Sequence, residues 1–294
     1  MQSPALLLVI TGFFLGLTFP FGKLAHTQGL SPIVWAWWVS AGSSIGLVMI
    51  RAVTGRSIRL EPRYVQFYFL SCIVALVIPN LLIFSVIPKL GAGFTGLLIT
   101  LSPVFTLTMS SILSVRVPNR LGLAALAIGF VGAVIVALTR GEVTQPASFG
   151  WVFAGLGIPF SLAIGNVYRT MAWPDGAEPL ELATGSNIAA ALVLLMVVWL
   201  HPEASLPGGL LSVSGLAFIT VVASTCMFPF FFQLQFVGGP TYLSQIGYVG
   251  AMVALFVGTV FLSERYSWIT WAGAIVIFLG VSLSARSMKD QDNG

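Results

Sequence analysis

Ten stretches of about 20 residues run through this 294-residue chain with almost no charge inside them. No other feature constrains the fold so tightly. A helix needs about 20 apolar residues to cross a hydrocarbon core about 30 Å thick. The stretches fall at 4–25, 32–50, 64–87, 92–114, 121–139, 149–171, 180–200, 210–236, 241–262 and 267–285. Turn-rich connections such as TQGLSP, RVPNR, WPDGAEP and VGGP separate them, and none is long enough for a soluble domain. Only 7% of the residues are charged, against about 25% in ordinary globular domains, and the mean hydropathy is +0.98. Backbone polar groups in lipid must be satisfied within the spanning segment, which leaves helices as the solution for runs of this length. The expected fold class is therefore an all-α integral membrane protein with ten transmembrane helices. The first stretch reads as a membrane helix and not as a cleavable signal, because no basic residue precedes it and Lys23 stands at its far end.

The net charge of +4 and pI near 9.3 do not point to nucleic acid, since the basic residues are scattered through short connections and form no basic face. They orient the chain instead. An even number of spans puts both termini on one side. With the termini inside, that side collects Arg51, Arg56, Arg59, Arg63, Arg116, Arg120, Arg169, Arg286 and Lys289, leaving Lys23, Lys89, Arg140 and Arg265 outside. Nine against four predicts cytoplasmic termini. Cys72 and Cys226 lie in apolar runs and read as buried thiols, not as a disulfide.

The two halves echo each other. Lys23 and Arg169, Pro32 and Pro179, Pro79 and Pro229, Arg116 and Arg265, Gly122 and Gly273, Gly129 and Gly280 recur in one order, 146, 147, 150, 149, 151 and 151 residues apart. The pattern predicts a duplication, with residues 1–140 and 141–294 as five-helix repeats in one transport unit. Five is odd, so the copies are inverted in the bilayer. Inverted repeats with a midplane site between them are a transporter architecture.

Uncharged polar groups at depth are the site candidates. Asn80 and Phe84 share a face of the third helix, Phe230 and Gln233 a face of the eighth, and Tyr242, Gln245 and Tyr248 a face of the ninth; Asn166 stands in the sixth. Each alone could serve only to bond a neighbouring helix. Lys23 has two readings, an ammonium snorkelling to headgroups or one at a cavity mouth where a substrate carboxylate passes. Pro20, Pro79 and Pro229 remove backbone donors inside helices and are the expected hinges. Pro103 and Pro159 read as structural kinks, and the pairs Gly12/Gly16 and Gly42/Gly46 as close helix packing.

No acid lies at the centre of any stretch, and the only histidines, His26 and His201, fall in connections. An intramembrane enzyme needs a serine–histidine pair, paired aspartates or a zinc-binding histidine motif at depth, so no catalytic activity, metal or cofactor is expected. Transport without a titrating carboxylate in the core is expected for the same reason.

The segments GLTFPFGK, NLLIFSVIPKLGAGFTGLLITLSPVF and FLSERYSWITWAGAIVIFLGVSL resemble the ten-helix bacterial (EamA-type) branch of the drug/metabolite transporter superfamily over the whole chain. Within it the chain looks most like the aromatic amino-acid exporters. The resemblance implies a multi-pass protein of the bacterial inner membrane that exports amino acids by alternating access, with another small metabolite or a drug as the alternative cargo. The acidic–Arg pair of the pattern stands at Glu264 and Arg265. The first repeat departs from it, reading Ser114-Val115-Arg116, so any role of that pair carries over to Glu264 and Arg265 alone.

Overall fold

The structure, a computed structural model, describes residues 4–55, 57–115, 120–139, 147–201 and 213–292. Its helices are α1 (Pro4–Thr27), α2 (Pro32–Val53), α3 (Pro62–Cys72), a π-helical turn (Ile73–Val77) leading into α4 (Ile78–Leu90), α5 (Ala92–Ile99), α6 (Ser102–Ile112), α7 (Arg120–Thr139), α8 (Phe149–Met171), α9 (Pro179–Leu200), α10 (Ser214–Ser244), α11 (Ile246–Phe261) and α12 (Trp268–Asp292). Seven runs are long and apolar enough to cross a membrane, and α7, α11 and α12 supply three shorter apolar helices. Proline opens α2, α3 and α9, where its missing N–H costs nothing and its fixed φ favours the first turn.

Two of the expected spans are not single helices. The stretch 92–114 divides into α5 and α6 at Thr100–Leu101, and 241–262 is interrupted at Gln245. Pro103 therefore starts a helix and kinks none. The turn between the eighth and ninth spans is made at Gly239, whose φ of 69° and ψ of −174° suit only glycine. The repeat boundary between 140 and 141, and Arg56, Arg116 and Arg140, lie outside the described residues.

Packing follows the repeat. α1 lies on α10 and α11; correspondingly, α8 lies on α4 and α6. α2 meets α10 as α9 meets α3, and α7 with α12, α2 with α9, and α5 with α11 pair across the two halves. Exchanging each span for the one five places on maps these contacts onto one another. Small residues let the backbones approach: a Cβ at Gly12 or Gly16 would lie 2.5 Å from the Cβ of Val249 or Val253 on α11. Gly42 and Gly46 face Val221 and Thr225 of α10 in the same manner. At Gly280 a Cβ would come within 2.6 Å of the Gly129 backbone nitrogen, so α12 and α7 pack backbone to backbone.

At the end where α8 finishes, ion pairs join the chain around the start of α3 to the chain around the start of α9. Glu181 is buried and accepts from Arg59 through Nη2 at 3.0 Å, Nε at 3.2 Å and the backbone N–H at 2.9 Å. Arg63 meets Asp175 at 3.0 Å, exposed on both sides and worth no more than about 1 kcal/mol. Of the cysteines, Cys72 is buried and donates to the Phe69 carbonyl, whereas Cys226 is exposed. The expectation of two buried thiols is corrected at Cys226: a lipid-facing surface is as apolar as a core, so an apolar run does not imply burial.

Candidate functional site

Three interruptions of regular helix meet at one place. The first begins with Pro79, which has no N–H to give. Ile78 N–H reaches back to Ile73 O in π register, and in that register the Val74 carbonyl would look to residue 79 for its donor. Ser161 of α8 supplies it instead, its hydroxyl donating to Val74 O at 2.7 Å. Gly165 makes the approach possible, since a Cβ there would stand 2.5 Å from Ala75 Cβ. The second and third interruptions are Thr100–Leu101 and Gln245, and they face each other because α5 and α11 pack together, with Gly247 against Ile99.

A cavity of about 70 Å³ opens where these interruptions converge, room for a handful of water molecules. Its polar lining is Asn80 beside the π-turn, Ser102 at the first break, Ser244 at the second and Asn166 of α8; Met227, Phe228 and Phe231 are prominent on its apolar side. Among the described residues nothing bonds the Asn80 amide, and no carboxylate lines the cavity. A larger groove of about 620 Å³ between α3 and α9 is lined by exposed apolar side chains such as Phe69, Leu192 and Met196, so it belongs to the lipid-facing surface.

Asn80, Asn166 and Pro79 thus reach the cavity. The other expected residues do not all join them. Gln233 is half-buried and outside the lining; the buried amide of α10 is Gln235, two residues on, donating to Asn166 O at 3.1 Å and to Thr170 Oγ1 at 2.7 Å. Phe230 likewise gives way to its neighbours Phe228 and Phe231. Phe84 packs against Gly22 of α1, where a Cβ would lie 2.7 Å from its ring. Tyr242 packs on Gly238, and Tyr248 lines a separate space of about 60 Å³ with Thr100 and Met252. Gln245 is buried at the second break, between lining residues Ser244 and Ile246. Pro20 and Pro229 lie within α1 and α10.

Lys23 neither snorkels nor stands free at a mouth. Its Nζ donates to Glu264 Oε1 at 2.7 Å, and the Glu264 side chain is fully buried. The same carboxylate accepts the Ala92 N–H at 2.7 Å and the Gly93 N–H at 3.0 Å, and the Tyr266 hydroxyl closes onto it. Ala92 and Gly93 begin α5, so the carboxylate takes two otherwise orphan donors at the positive end of the helix. Gly258 makes room for it. Arg265 is exposed, so the glutamate's partner is 241 residues away in sequence and not adjacent.

At the opposite end Arg169 is completely buried. Its Nη2 donates to Asn166 Oδ1 at 2.7 Å, its Nε to Gln235 Oε1 at 3.2 Å, and its guanidinium stands 4.9 Å from the centre of the Phe231 ring. Asn166 and Phe231 therefore touch both the arginine and the cavity. Residue pattern marks Arg169 as the repeat partner of Lys23 and as one of the nine inner basic residues; a charge at the end of an apolar stretch is the signal it carries.

A ten-span helical bundle with broken spans around a small, mostly apolar cavity that carries a few polar groups defines a multi-pass membrane protein with room for a small solute between its helices. The chain belongs to the EamA-like transporter family, whose sequence model matches residues 2–138 and again 149–286. It is accordingly a membrane transporter of small molecules with two repeats. A search of curated proteins gives no match. One solved structure, titled "Crystal structure of protein", is 16% identical, covers 95% of this chain and 98% of its own, and superposes with a TM-score of 0.61, a likeness of fold alone.

Proposed function

We propose that this transporter exports amino acids, aromatic ones among them, across a bacterial inner membrane by alternating access. The observation that carries the reading is the composition of the enclosed site: aromatic and aliphatic walls from Phe228, Phe231 and Met227, unbonded amide capacity at Asn80, and a buried guanidinium immediately behind Asn166 and Phe231. Such a set suits an apolar side chain carried by a small zwitterion. The π-turn at Pro79 and the breaks at Thr100–Leu101 and Gln245 are the places where the spans can bend to reshape the cavity around such a solute.

Counterflow in proteoliposomes against a panel of labelled phenylalanine, tryptophan, leucine, alanine and a lipophilic drug cation tests this. Phenylalanine and tryptophan should exchange fastest, and exchange should persist with the proton gradient collapsed. Transport of the drug cation with no amino-acid exchange would replace the reading with its alternative.

The basic-residue bias orients the molecule with both termini in the cytoplasm, the Lys23–Glu264 pair at the outer end and Arg169 at the inner one. A reporter fused to the C-terminus should be active in the cytoplasm, and periplasmic activity would reverse the two ends.

A further inference from the structure

The two ends of the molecule are copies of one another with one group missing. Gly91 before α5 (φ 87°, ψ 158°) and Gly239 before the short helical stub at Pro240 (φ 69°, ψ −174°) share a left-handed, extended conformation, 148 residues apart. Ser114 after α6 and Ser263 after α11 both have φ 56°, 149 apart. A serine with positive φ is uncommon, so its recurrence at matched positions shows that the two chain segments fold alike. The residue following Ser263 is Glu264, which holds Lys23 and the first N–H groups of α5. The residue following Ser114 is Val115.

Arg169, the counterpart of Lys23, consequently has only neutral hydrogen-bond partners among the described residues. It is wholly buried, Asn166 and Gln235 satisfy Nη2 and Nε, and Nη1 has no hydrogen-bond partner among the described residues. Thr241, in the stub that corresponds to the start of α5, has a buried hydroxyl that is also unpartnered. A buried guanidinium without a counter-charge is unfavourable, and a carboxylate is its best-matched partner because the planar fork donates to two carboxylate oxygens at once.

We propose that Arg169 is the anchor for the carboxylate of the transported amino acid, so that the substrate itself completes at this end the ion pair that Glu264 completes permanently at the other. The inference rests on the amino-acid reading of function. It makes closure of the Arg169 end depend on occupancy: loaded, this end is held by a charge pair as the Lys23 end is; empty, it is not. Asn166 and Phe231, which touch both the guanidinium and the cavity, link the two places.

Thermal unfolding and counterflow of the purified full chain test it with three probes: phenylalanine, phenethylamine, which keeps the ring and ammonium but has no carboxylate, and benzoate, a bare aromatic carboxylate. Phenylalanine and benzoate should raise the melting temperature of the wild type and phenethylamine should not. Arg169→Gln should abolish both shifts and raise the KM for phenylalanine at least tenfold, with Arg169→Lys recovering part of the loss. Val115→Glu should supply the missing carboxylate from within. It should raise the melting temperature without ligand, abolish the benzoate shift and weaken phenylalanine exchange at least tenfold. Equal shifts with phenylalanine and phenethylamine, a wild-type KM in Arg169→Gln, or a Val115→Glu protein that still responds to benzoate would overturn the assignment. A wild type that exchanges no amino acid yet is stabilised by benzoate in a Val115-dependent manner would instead leave the anion site standing and remove the amino-acid reading.

Discussion

Replacing Glu264 with alanine is expected to be the most damaging single change at the Lys23 end. It removes the carboxylate that four donors share: the Lys23 ammonium, the Ala92 and Gly93 N–H groups and the Tyr266 hydroxyl. Breaking a buried pair costs about 3–5 kcal/mol. The Lys23 side chain keeps 20% of its exposure, which lets water take over part of that loss and places the expectation near the lower figure. Lys23→Met should cost less in stability, because the carboxylate retains its two backbone donors and the tyrosine, while Lys23→Arg should stay closest to the wild type. The functional consequence has the same direction. The pair ties the end of α1 to the segment after α11 and to the start of α5, so without it the closed form of this end loses population and exchange slows. Melting temperature and phenylalanine counterflow, measured on the three variants together, check both. A Glu264→Ala protein as stable as the wild type would mean that the pair closes nothing.

The second large effect belongs to Asn80. Asn80→Leu should lower exchange by tenfold or more and leave the melting temperature within a degree or two of wild type. The amide lines the cavity and no described residue bonds it, so folding loses nothing when it goes, whereas a substrate polar group brought into an apolar pocket loses its partner. An unmatched polar group of that kind costs about 1–3 kcal/mol, a range that brackets a tenfold change. Gln233→Leu is the control. Its side chain is half-buried and outside the lining, and exchange should remain within twofold of wild type. Equal losses in the two variants would show that the cavity is not where solute binds.

The contrast between Asn80 and Gln233 illustrates what could be read from residue order. Both are amides in otherwise apolar spans, and both stand out in the sequence on that ground. In a soluble protein the apolar face of a helix points inward and its partner face is polar, so periodicity tells which residue faces the core. In lipid both faces are apolar. Gln233 and Gln235, or Phe230 and Phe231, are then indistinguishable by pattern, and the rotation of α10 against α8 selects between them.

The sequence by itself determined the solvent, the ten spans and the duplication, because about 20 apolar residues without charge have one low-cost conformation in hydrocarbon and because matched prolines, glycines and cations recur at a near-constant interval. It also marked Asn80, Asn166 and Pro79, whose chemistry is conspicuous against any apolar background. The tertiary structure alone decided that Thr100–Leu101 and Gln245 interrupt their spans, that those interruptions meet, that Lys23 finds Glu264 across 241 residues, and that Arg169 finds no acid among the described residues. The physical reason is that these outcomes depend on which helices pack together and at what rotation, and that choice is made by small-residue contacts such as Gly12 on Val249 and Gly247 on Ile99, which hydropathy does not record.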